Sequence, residues 1–255
     1  MTTDSAPVRI TRRRLLSAGA VLPVAATAAS QLIRRDMPWQ EGTAAEPTAA
    51  TQASQGNQYA FLAAAEAAFV EAAVARIIPH DELGPGALEA GAAVFIDRQL
   101  AGEFGRGERW YMQGPWAKGE KTQGYQTRMT PANLYRAAIR EIDAAVGHEG
   151  KAASFAKLAV AEQDRWLKDL EDGKPQLPTA DAKTFFTMLL QNTLEGFWSD
   201  PVYGGNRDMA GWKLIGFPGA HYDYTAYVGK HGEAFPLPPT GLGGRPAWRK
   251  EGSNG

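Results

Sequence analysis

The sequence predicts an all-α protein of about five to six helices, with two long irregular loops and an extended C-terminal tail. Apolar residues recur at helical spacing in several separate stretches between residues 59 and 200. Prolines, glycines and capping residues bound these stretches, and no segment longer than four residues after the leader alternates at the strand period. With 255 residues and 44% hydrophobic content, the chain is long enough to bury a full core.

The first 28 residues are predicted to be a twin-arginine signal peptide. The stretch "TRRRLLS" precedes an uncharged run, Leu15 to Ser30, which is shorter than the roughly 20 residues of a bilayer span. The consecutive Arg12 and Arg13 resemble the pair read by the twin-arginine export receptor. Cleavage is expected after Ala28, and an ordinary secretory signal or an uncleaved anchor is the alternative.

Residues 29–57 are predicted to be a flexible linker, and residues 59–255 a helical domain. The linker is rich in Ala, Thr and Gln and poor in aliphatic residues. Such a composition cannot bury enough surface to offset the entropy of ordering it.

The domain is predicted to open with a helical hairpin. The first helix is expected over residues 59–78, where Pro79 ends it, and the second over residues 86–102, with a glycine at each end. The apolar stripe of the first helix contains Leu62, Phe69, Ala73, Val74 and Ile77, and that of the second contains Leu88, Ala92, Phe95, Ile96 and Leu100.

Three further helical stretches follow. Thr130 is a predicted N-cap with Pro131 at the first helical position, and this helix runs to Gly147. A second stretch covers residues 155–173, and a third starts at Thr179 or Asp181 and ends before a proline at position 201. The residues expected to face the core are Leu134, Tyr135, Ala138, Ile139, Ile142, Val146, Phe155, Leu158, Trp166, Leu167, Leu170, Phe185, Met188, Leu189 and Phe197.

Residues 103–129 form the first irregular loop and are predicted to bind a partner. A structureless stretch of this length inside a domain is uncommon unless it has a function or is disordered, and its aromatic residues argue against disorder. Trp110 and Trp116, interleaved with arginines, are residue types that dominate binding hot spots. The alternative is that these rings are buried on the domain's own core.

Composition argues against several classes of function. A formal net charge of −1 gives no reason to expect nucleic acid or an anionic membrane as partner. The absence of cysteine excludes thiolate nucleophiles, cysteine-held iron–sulfur clusters and C-x-x-C-H haem attachment. The four histidines have no metal-binding spacing, so we expect no metal site and no cofactor in this chain. His221 and Asp223 are a possible acid–base pair, but no nucleophile accompanies them.

The second irregular loop, "DPVYGGNRDMAGWKLIGFPG" (residues 200–219), shows neither helical nor strand period. Gly204 and Gly205 allow positive φ or close backbone approach, and Asn206 tolerates the left-handed region. The loop is therefore predicted to be rigid and to expose Tyr203, Arg207, Trp212 and Phe217 to a partner, with packing on its own helix ends as the alternative. The proline-rich segment at 235–241 is expected either to extend along a partner or to form a strap on its own domain.

This loop, together with the preceding "FFTMLLQNTLEG", the opening "RIIPHDE" and the twin-arginine-like leader, resembles the gluconate 2-dehydrogenase subunit 3 family. The resemblance spans roughly residues 59–238. It implies a non-catalytic small subunit of a membrane-associated complex, in which a large subunit holds FAD and oxidises the sugar or sugar acid. A cytochrome subunit with c-type haem passes electrons to the quinone pool in such complexes.

The resemblance also implies export to the periplasm by the Tat machinery, in which this chain carries the signal for a flavoprotein that lacks one and supports its maturation. No membrane span is expected after cleavage. Two alternatives stay open from the residues alone. One is an independent periplasmic enzyme that uses His221 and Asp223, and the other is an interaction protein whose uncleaved leader tethers it to the membrane.

Overall fold

The computed structural model of the protein describes residues 59–117, 119–120, 122–233 and 235–243. The predicted all-α class is confirmed, because these ranges contain seven α-helices, four 3₁₀ turns and only isolated β-bridges. None of these helices is both long and apolar enough to cross a membrane. The predicted signal peptide and linker lie outside the described residues. The helices are α1 Ala64–Ile77, α2 Ala92–Ala101, α3 Glu103–Arg106, α4 Pro131–His148, α5 Val160–Glu171, α6 Ala182–Trp198 and α7 Ala210–Ile215.

Helix α1 begins five residues later than the sequence predicts, because a buried carboxylate holds the preceding segment in another conformation. Asp97 on α2 is 2% exposed and accepts hydrogen bonds from three successive backbone N–H groups. These belong to Ala60 at 2.7 Å, Phe61 at 2.9 Å and Leu62 at 2.9 Å. Because a charged acceptor strengthens such bonds, Asp97 fixes the point at which the chain enters the domain.

Helix α2 is also shorter than predicted at its N-terminal end. The Ala87 N–H donates to the Ile78 carbonyl at 2.8 Å, which folds residues 86–91 back onto the end of α1. Gly91 then adopts φ 81° and serves as the N-cap of α2. Glycine adopts this left-handed conformation readily, and it separates the turn at residues 86–91 from α2.

Helix α4 starts where the sequence predicts, and α6 starts at the second of its two predicted caps. Thr130 caps α4, since its side chain accepts from the Asn133 N–H at 3.3 Å, and Pro131 occupies the first helical position. Asp181 caps α6 by accepting from the Thr184 N–H at 2.7 Å. The predicted stretch at 155–173 divides into a 3₁₀ turn and α5. All the apolar residues predicted to face the core in these helices are buried.

The core lies where α1, α4 and α6 meet. Phe69 of α1 is fully buried, and its ring centroid lies 4.6 Å from that of Phe155 and 6.1 Å from that of Phe185. Tyr135 of α4 packs edge-on against Phe185 at 5.3 Å. Its buried hydroxyl accepts from the Asn192 amide at 3.0 Å, so the single polar atom of this aromatic cluster is satisfied.

Helices α2 and α6 approach each other closely at Gly196. A Cβ atom at this position would lie 3.0 Å from the Ala92 Cα and 3.1 Å from the Phe95 ring. Only glycine allows the two backbones to meet at this distance. The contact places the C-terminal end of α6 beside the N-terminal end of α2, and the 200–219 loop starts from this junction.

Glu141 joins α4 to the segment that precedes α6. Its side chain is 6% exposed, and it accepts from the N–H groups of Thr179 and Ala180, each at 3.1 Å, and from the Thr179 hydroxyl. Burial by itself raises the pKa of Glu141, but the bonds from Thr179 and Ala180, with the nearby Arg140, outweigh burial and hold the pKa below its usual range.

This electrostatic arrangement predicts a specific pH dependence. Because the pKa of Glu141 is lower in the folded than in the unfolded protein, its contribution to stability is present above the unfolded pKa of about 4.3 and is lost as pH falls through the folded pKa. The difference in free energy of unfolding between wild type and Glu141→Gln should therefore shrink between about pH 6 and about pH 3. Urea titrations at several pH values measure it, with exposed Glu82→Gln as control. A difference that stays constant with pH would contradict this account.

Candidate functional site

The candidate site is the 200–219 loop, which follows α6 directly. It contains the 3₁₀ turns Pro201–Tyr203 and Arg207–Met209 and then the short helix α7. The loop is therefore more regular than the sequence predicts. Its turns are too short to produce a periodic apolar pattern, which is why periodicity did not reveal them.

Asn206 holds the loop together through its side chain and its backbone. It is fully buried and adopts φ 45°. Its amide nitrogen donates to the Ser199 carbonyl at 2.8 Å, and its side-chain oxygen accepts from the Gly211 N–H at 2.8 Å. Its own N–H donates to the Gly196 carbonyl at 2.8 Å. Asn206 thus connects the end of α6 to the start of α7, and its predicted left-handed conformation is confirmed.

Two glycines let the loop lie directly on α6. A Cβ at Gly205 would lie 2.1 Å from the Gly196 carbonyl oxygen, and a Cβ at Gly211 would lie 2.3 Å from the Phe197 carbonyl oxygen. Gly204 adopts φ 98°. The sequence predicts positive φ or close backbone approach at these two positions, and the structure has the first at Gly204 and the second at Gly205. Because glycine has no side chain, Gly204 and Gly205 can contribute to an interface only through the shape that they give the backbone.

Strained backbone accompanies this close packing. Asp208 and Met209 adopt φ 55° and φ 57°, although neither is a glycine. Left-handed backbone costs roughly 1–2 kcal/mol for such residues. Strain of this kind persists only where surrounding contacts impose it, and it is concentrated at functional sites in proteins.

The C-terminal tail forms a strap over the loop. The Thr240 N–H donates to the Pro218 carbonyl at 3.1 Å, and the Ala220 N–H donates to the Thr240 carbonyl at 2.5 Å. The Asp200 carboxylate accepts from the Leu242 N–H at 2.7 Å and from the Val202 N–H at 3.0 Å. The sequence left two arrangements for the tail, extension along a partner or a strap on its own domain. The described part of the tail forms the strap.

The prediction that Trp212 is exposed is wrong. Trp212 is 6% exposed, and its indole N–H donates to the Trp198 carbonyl at 2.8 Å. Its ring packs edge-on against Phe217, with 5.1 Å between the centroids. An indole buries a large apolar area once its N–H finds an acceptor, and the end of α6 supplies that acceptor.

The loop exposes four apolar side chains, which we call the apolar rim. These are Val202 at 56%, Tyr203 at 50%, Ile215 at 57% and Phe217 at 44% exposed. Tyr203 and Phe217 agree with the predicted exposure. Arg207 is exposed as well, and its guanidinium lies beside Gly91, with Nη2 3.6 Å from the position of a Cβ there. A rigid loop with exposed apolar side chains beside a cation can dock a protein partner, and its binding role remains a prediction.

The other predicted interface residues, Trp110 and Trp116, lie in the first irregular loop and not on the rim. Both are half-buried. Trp110 packs between Phe104, at a centroid distance of 5.6 Å, and Tyr125, at 4.7 Å. Phe104, Trp110 and Tyr125 thus contact one another. Neither tryptophan is among the buried core residues, so the alternative of full burial on the core is not what the structure shows.

The candidate acid–base residues are each held by another group. The His221 Nε2 lies 3.2 Å from the Pro238 carbonyl oxygen. Asp223 accepts from the Thr225 N–H at 2.8 Å, and hydrogen bonding to Thr225 lowers the pKa of Asp223. In the part of the chain that the structure describes, no group of three or more His, Asp or Glu side chains is arranged to hold a metal ion.

Sequence reasoning missed Asp200, Val202 and Ile215. Asp200 precedes a proline at the end of a helix, a position typical of side chains that cap the next turn, so this anchor had a readable signal. The sequence contains no signal for the exposure of Val202 and Ile215, because the exposure of an aliphatic residue in an irregular segment depends on how the segments around it pack.

Asn206→Ala should destabilise the protein by about 2–4 kcal/mol, because it leaves the Gly211 N–H and the Ser199 carbonyl without partners and places alanine at positive φ. For a domain of this size, each kcal/mol lowers Tm by about 2–4 °C. Differential scanning calorimetry measures the shift. The matched control is Asn133→Ala, at an exposed position on α4, which should change stability by less than about 0.5 kcal/mol. Equal effects of the two substitutions would contradict the role given to Asn206.

Comparison with known proteins supports the resemblance read from the sequence. The family model described as gluconate 2-dehydrogenase subunit 3 matches residues 64–219, a narrower range than the sequence suggested. The match begins with α1 and includes the whole candidate loop. No curated protein and no solved structure matches the chain significantly. Because the family model covers more than half of the chain, this protein belongs to the gluconate 2-dehydrogenase subunit 3 family.

Proposed function

We propose that this chain is the non-catalytic small subunit of a membrane-associated, FAD-dependent sugar or sugar-acid dehydrogenase, and that the apolar rim docks on its flavoprotein subunit. The observation that carries the proposal is the apolar rim itself, four exposed side chains on a loop whose backbone is fixed by the buried Asn206. Family membership supports the kind of complex.

The rigidity of the loop favours docking. Binding costs less free energy when the contacting side chains stand on a backbone that is already ordered. Tyr203 and Phe217 have few rotamers to immobilise, and aromatic residues at such positions supply much of the binding energy in protein interfaces. Arg207, whose guanidinium lies beside Gly91, adds an exposed cation to the same loop, and this cation would select for an acidic or hydrogen-bond-accepting surface on the partner.

The chemistry in this proposal belongs to other chains. The flavoprotein subunit holds FAD and oxidises the substrate, and a cytochrome c subunit accepts the electrons. The contact of His221 with the Pro238 carbonyl of the tail and the hydrogen bond of Asp223 from the Thr225 N–H support this division, because they give both side chains structural partners.

The leader supplies the second part of the proposal. Arg12 and Arg13 would direct the folded complex to the Tat machinery, so that the flavoprotein is carried to the periplasm with its cofactor already bound. In this scheme the small subunit supports maturation of the flavoprotein by binding it before export. The complex would then be associated with the membrane through its other subunits.

Substitution in the apolar rim should weaken the complex. Val202→Ala combined with Tyr203→Ala should raise the dissociation constant for the co-purifying flavoprotein about tenfold or more, since both side chains would lose buried contact area. The control is Val160→Ala, which removes the same methyl groups from an equally exposed position on α5 (55% against 56%). Biolayer interferometry measures the affinities. Equal affinity for both variants, or sugar oxidation by the purified chain alone, would contradict the proposal.

Substitution in the leader should block export of both proteins. Arg12→Lys with Arg13→Lys keeps the charge of the leader but removes the guanidinium pair, so the chain and its flavoprotein should accumulate in the cytoplasm. Arg14→Lys is the control, because it changes the adjacent arginine by the same chemistry and leaves the pair intact. Immunoblots of periplasmic and cytoplasmic fractions measure the distribution. Normal export of the flavoprotein in the double variant would rule out the escort role.

A further inference from the structure

The strap formed by the C-terminal tail contacts the loop at both parts of the apolar rim. The described part of the strap is residues 235–243. The rim consists of two pairs of side chains, one in the turn Pro201–Tyr203 and one at and after the end of α7. The strap follows residues 64–219, which the family model matches, so family membership by itself gives it no role.

The C-terminal end of the strap lies at the first pair. One oxygen of the Asp200 carboxylate accepts from the Val202 N–H at 3.0 Å, and the other accepts from the Leu242 N–H at 2.7 Å. A Cβ at Gly241 would lie 3.2 Å from both oxygens, so the strap packs directly on this carboxylate. Because one side chain holds both N–H groups, Leu242 lies next to Val202.

The middle of the strap lies at the second pair. Thr240 is 8% exposed, and its N–H donates to the Pro218 carbonyl at 3.1 Å while its carbonyl accepts from the Ala220 N–H at 2.5 Å. These bonds hold the strap beside the residue that follows Phe217. Thr240 and Leu242 are two positions apart, a span of at most about 7 Å, so the two contacts of the strap with the loop lie close together.

The N-terminal end of the strap is fixed by aromatic packing. The Phe235 ring centroid lies 4.7 Å from that of Tyr227, 4.8 Å from that of His221 and 5.6 Å from that of Tyr224. The strap is therefore held at both ends and in the middle. A segment whose backbone is already fixed loses little conformational freedom when a partner binds it.

Leu242 is the apolar side chain that the strap adds to this surface. It is 64% exposed, whereas the four side chains of the apolar rim are 44–57% exposed. With Leu242, three aliphatic and two aromatic side chains stand on fixed backbone around the Asp200 carboxylate and the end of α7. Contiguous exposed apolar side chains of this kind mark surfaces that bind other proteins.

We infer that the strap is part of the docking surface and that Leu242 contacts the flavoprotein subunit together with the apolar rim. The inference rests on the proposed function, because it adds a contact to the same complex. The contact expected on the flavoprotein is an apolar patch, since Leu242 is continuous with the rim and is, like the rim, apolar.

Photo-cross-linking tests the contact directly. In the full chain, p-benzoylphenylalanine replaces Leu242, and irradiation of the complex with the co-purifying flavoprotein should join the two proteins, as mass spectrometry would show. The same replacement at Val160, 55% exposed at the start of α5, should give no such product. A cross-link from position 242 to a second copy of this chain in place of the flavoprotein, or equal products from both positions, would overturn the inference.

Affinity measurements separate this inference from the proposed function. Leu242→Ala should raise the dissociation constant for the flavoprotein about fivefold or more, and Leu83→Ala, at a leucine 57% exposed in the turn between α1 and α2, should leave it unchanged. Because Leu242 is exposed, its substitution should not disturb folding, which melting curves check.

The outcomes for the rim and the strap are distinguishable. If the Val202→Ala and Tyr203→Ala pair weakens binding but Leu242→Ala does not, or if Leu83→Ala weakens it equally, the rim docks without the strap and the inference alone is wrong. If neither the rim nor the strap substitutions weaken binding, the proposed docking is wrong and the inference is wrong with it.

Discussion

The loop after α6 keeps its shape because one carboxamide, that of Asn206, is buried where three backbone segments meet. It bonds the Ser199 carbonyl and the Gly211 N–H, while its own N–H bonds the Gly196 carbonyl. An unpaired polar group at a buried position costs about 1–3 kcal/mol, and these bonds spare the three groups that cost. Asparagine also accepts the left-handed backbone that the turn needs better than most side chains do.

The rest of the site follows from this constraint. With Asn206 fixed, Gly205 and Gly211 lie against the carbonyls of Gly196 and Phe197, where a larger residue has no room. Helix α7 then turns Trp212 inward onto the end of α6, and Phe217 covers its ring. The four side chains of the apolar rim remain exposed on this fixed backbone.

Parts of this site could be predicted from the sequence because they depend on the backbone conformation that a single residue type prefers. Glycine is the residue that adopts φ 98° without strain, as Gly204 does, and asparagine is among the few that tolerate φ 45°. The direction of Trp212 could not be predicted in this way. An indole is equally suited to an interface and to a core, and its position depends on the Trp198 carbonyl, which is close only after the chain has folded.

The sequence by itself determined the helical class, the cap at Thr130 and the family, because helical periodicity, capping and motifs act over a few neighbouring residues. For α6 it left Thr179 and Asp181 as alternative caps, and the structure has Asp181. Tertiary structure alone decided where α1 begins, since Asp97 is a distant residue that binds the N–H groups ahead of it. It also decided that the tail lies on its own domain, that Trp212 is buried, and that Val202 and Ile215 are exposed. These outcomes depend on contacts between residues far apart in the chain, which local preference does not encode.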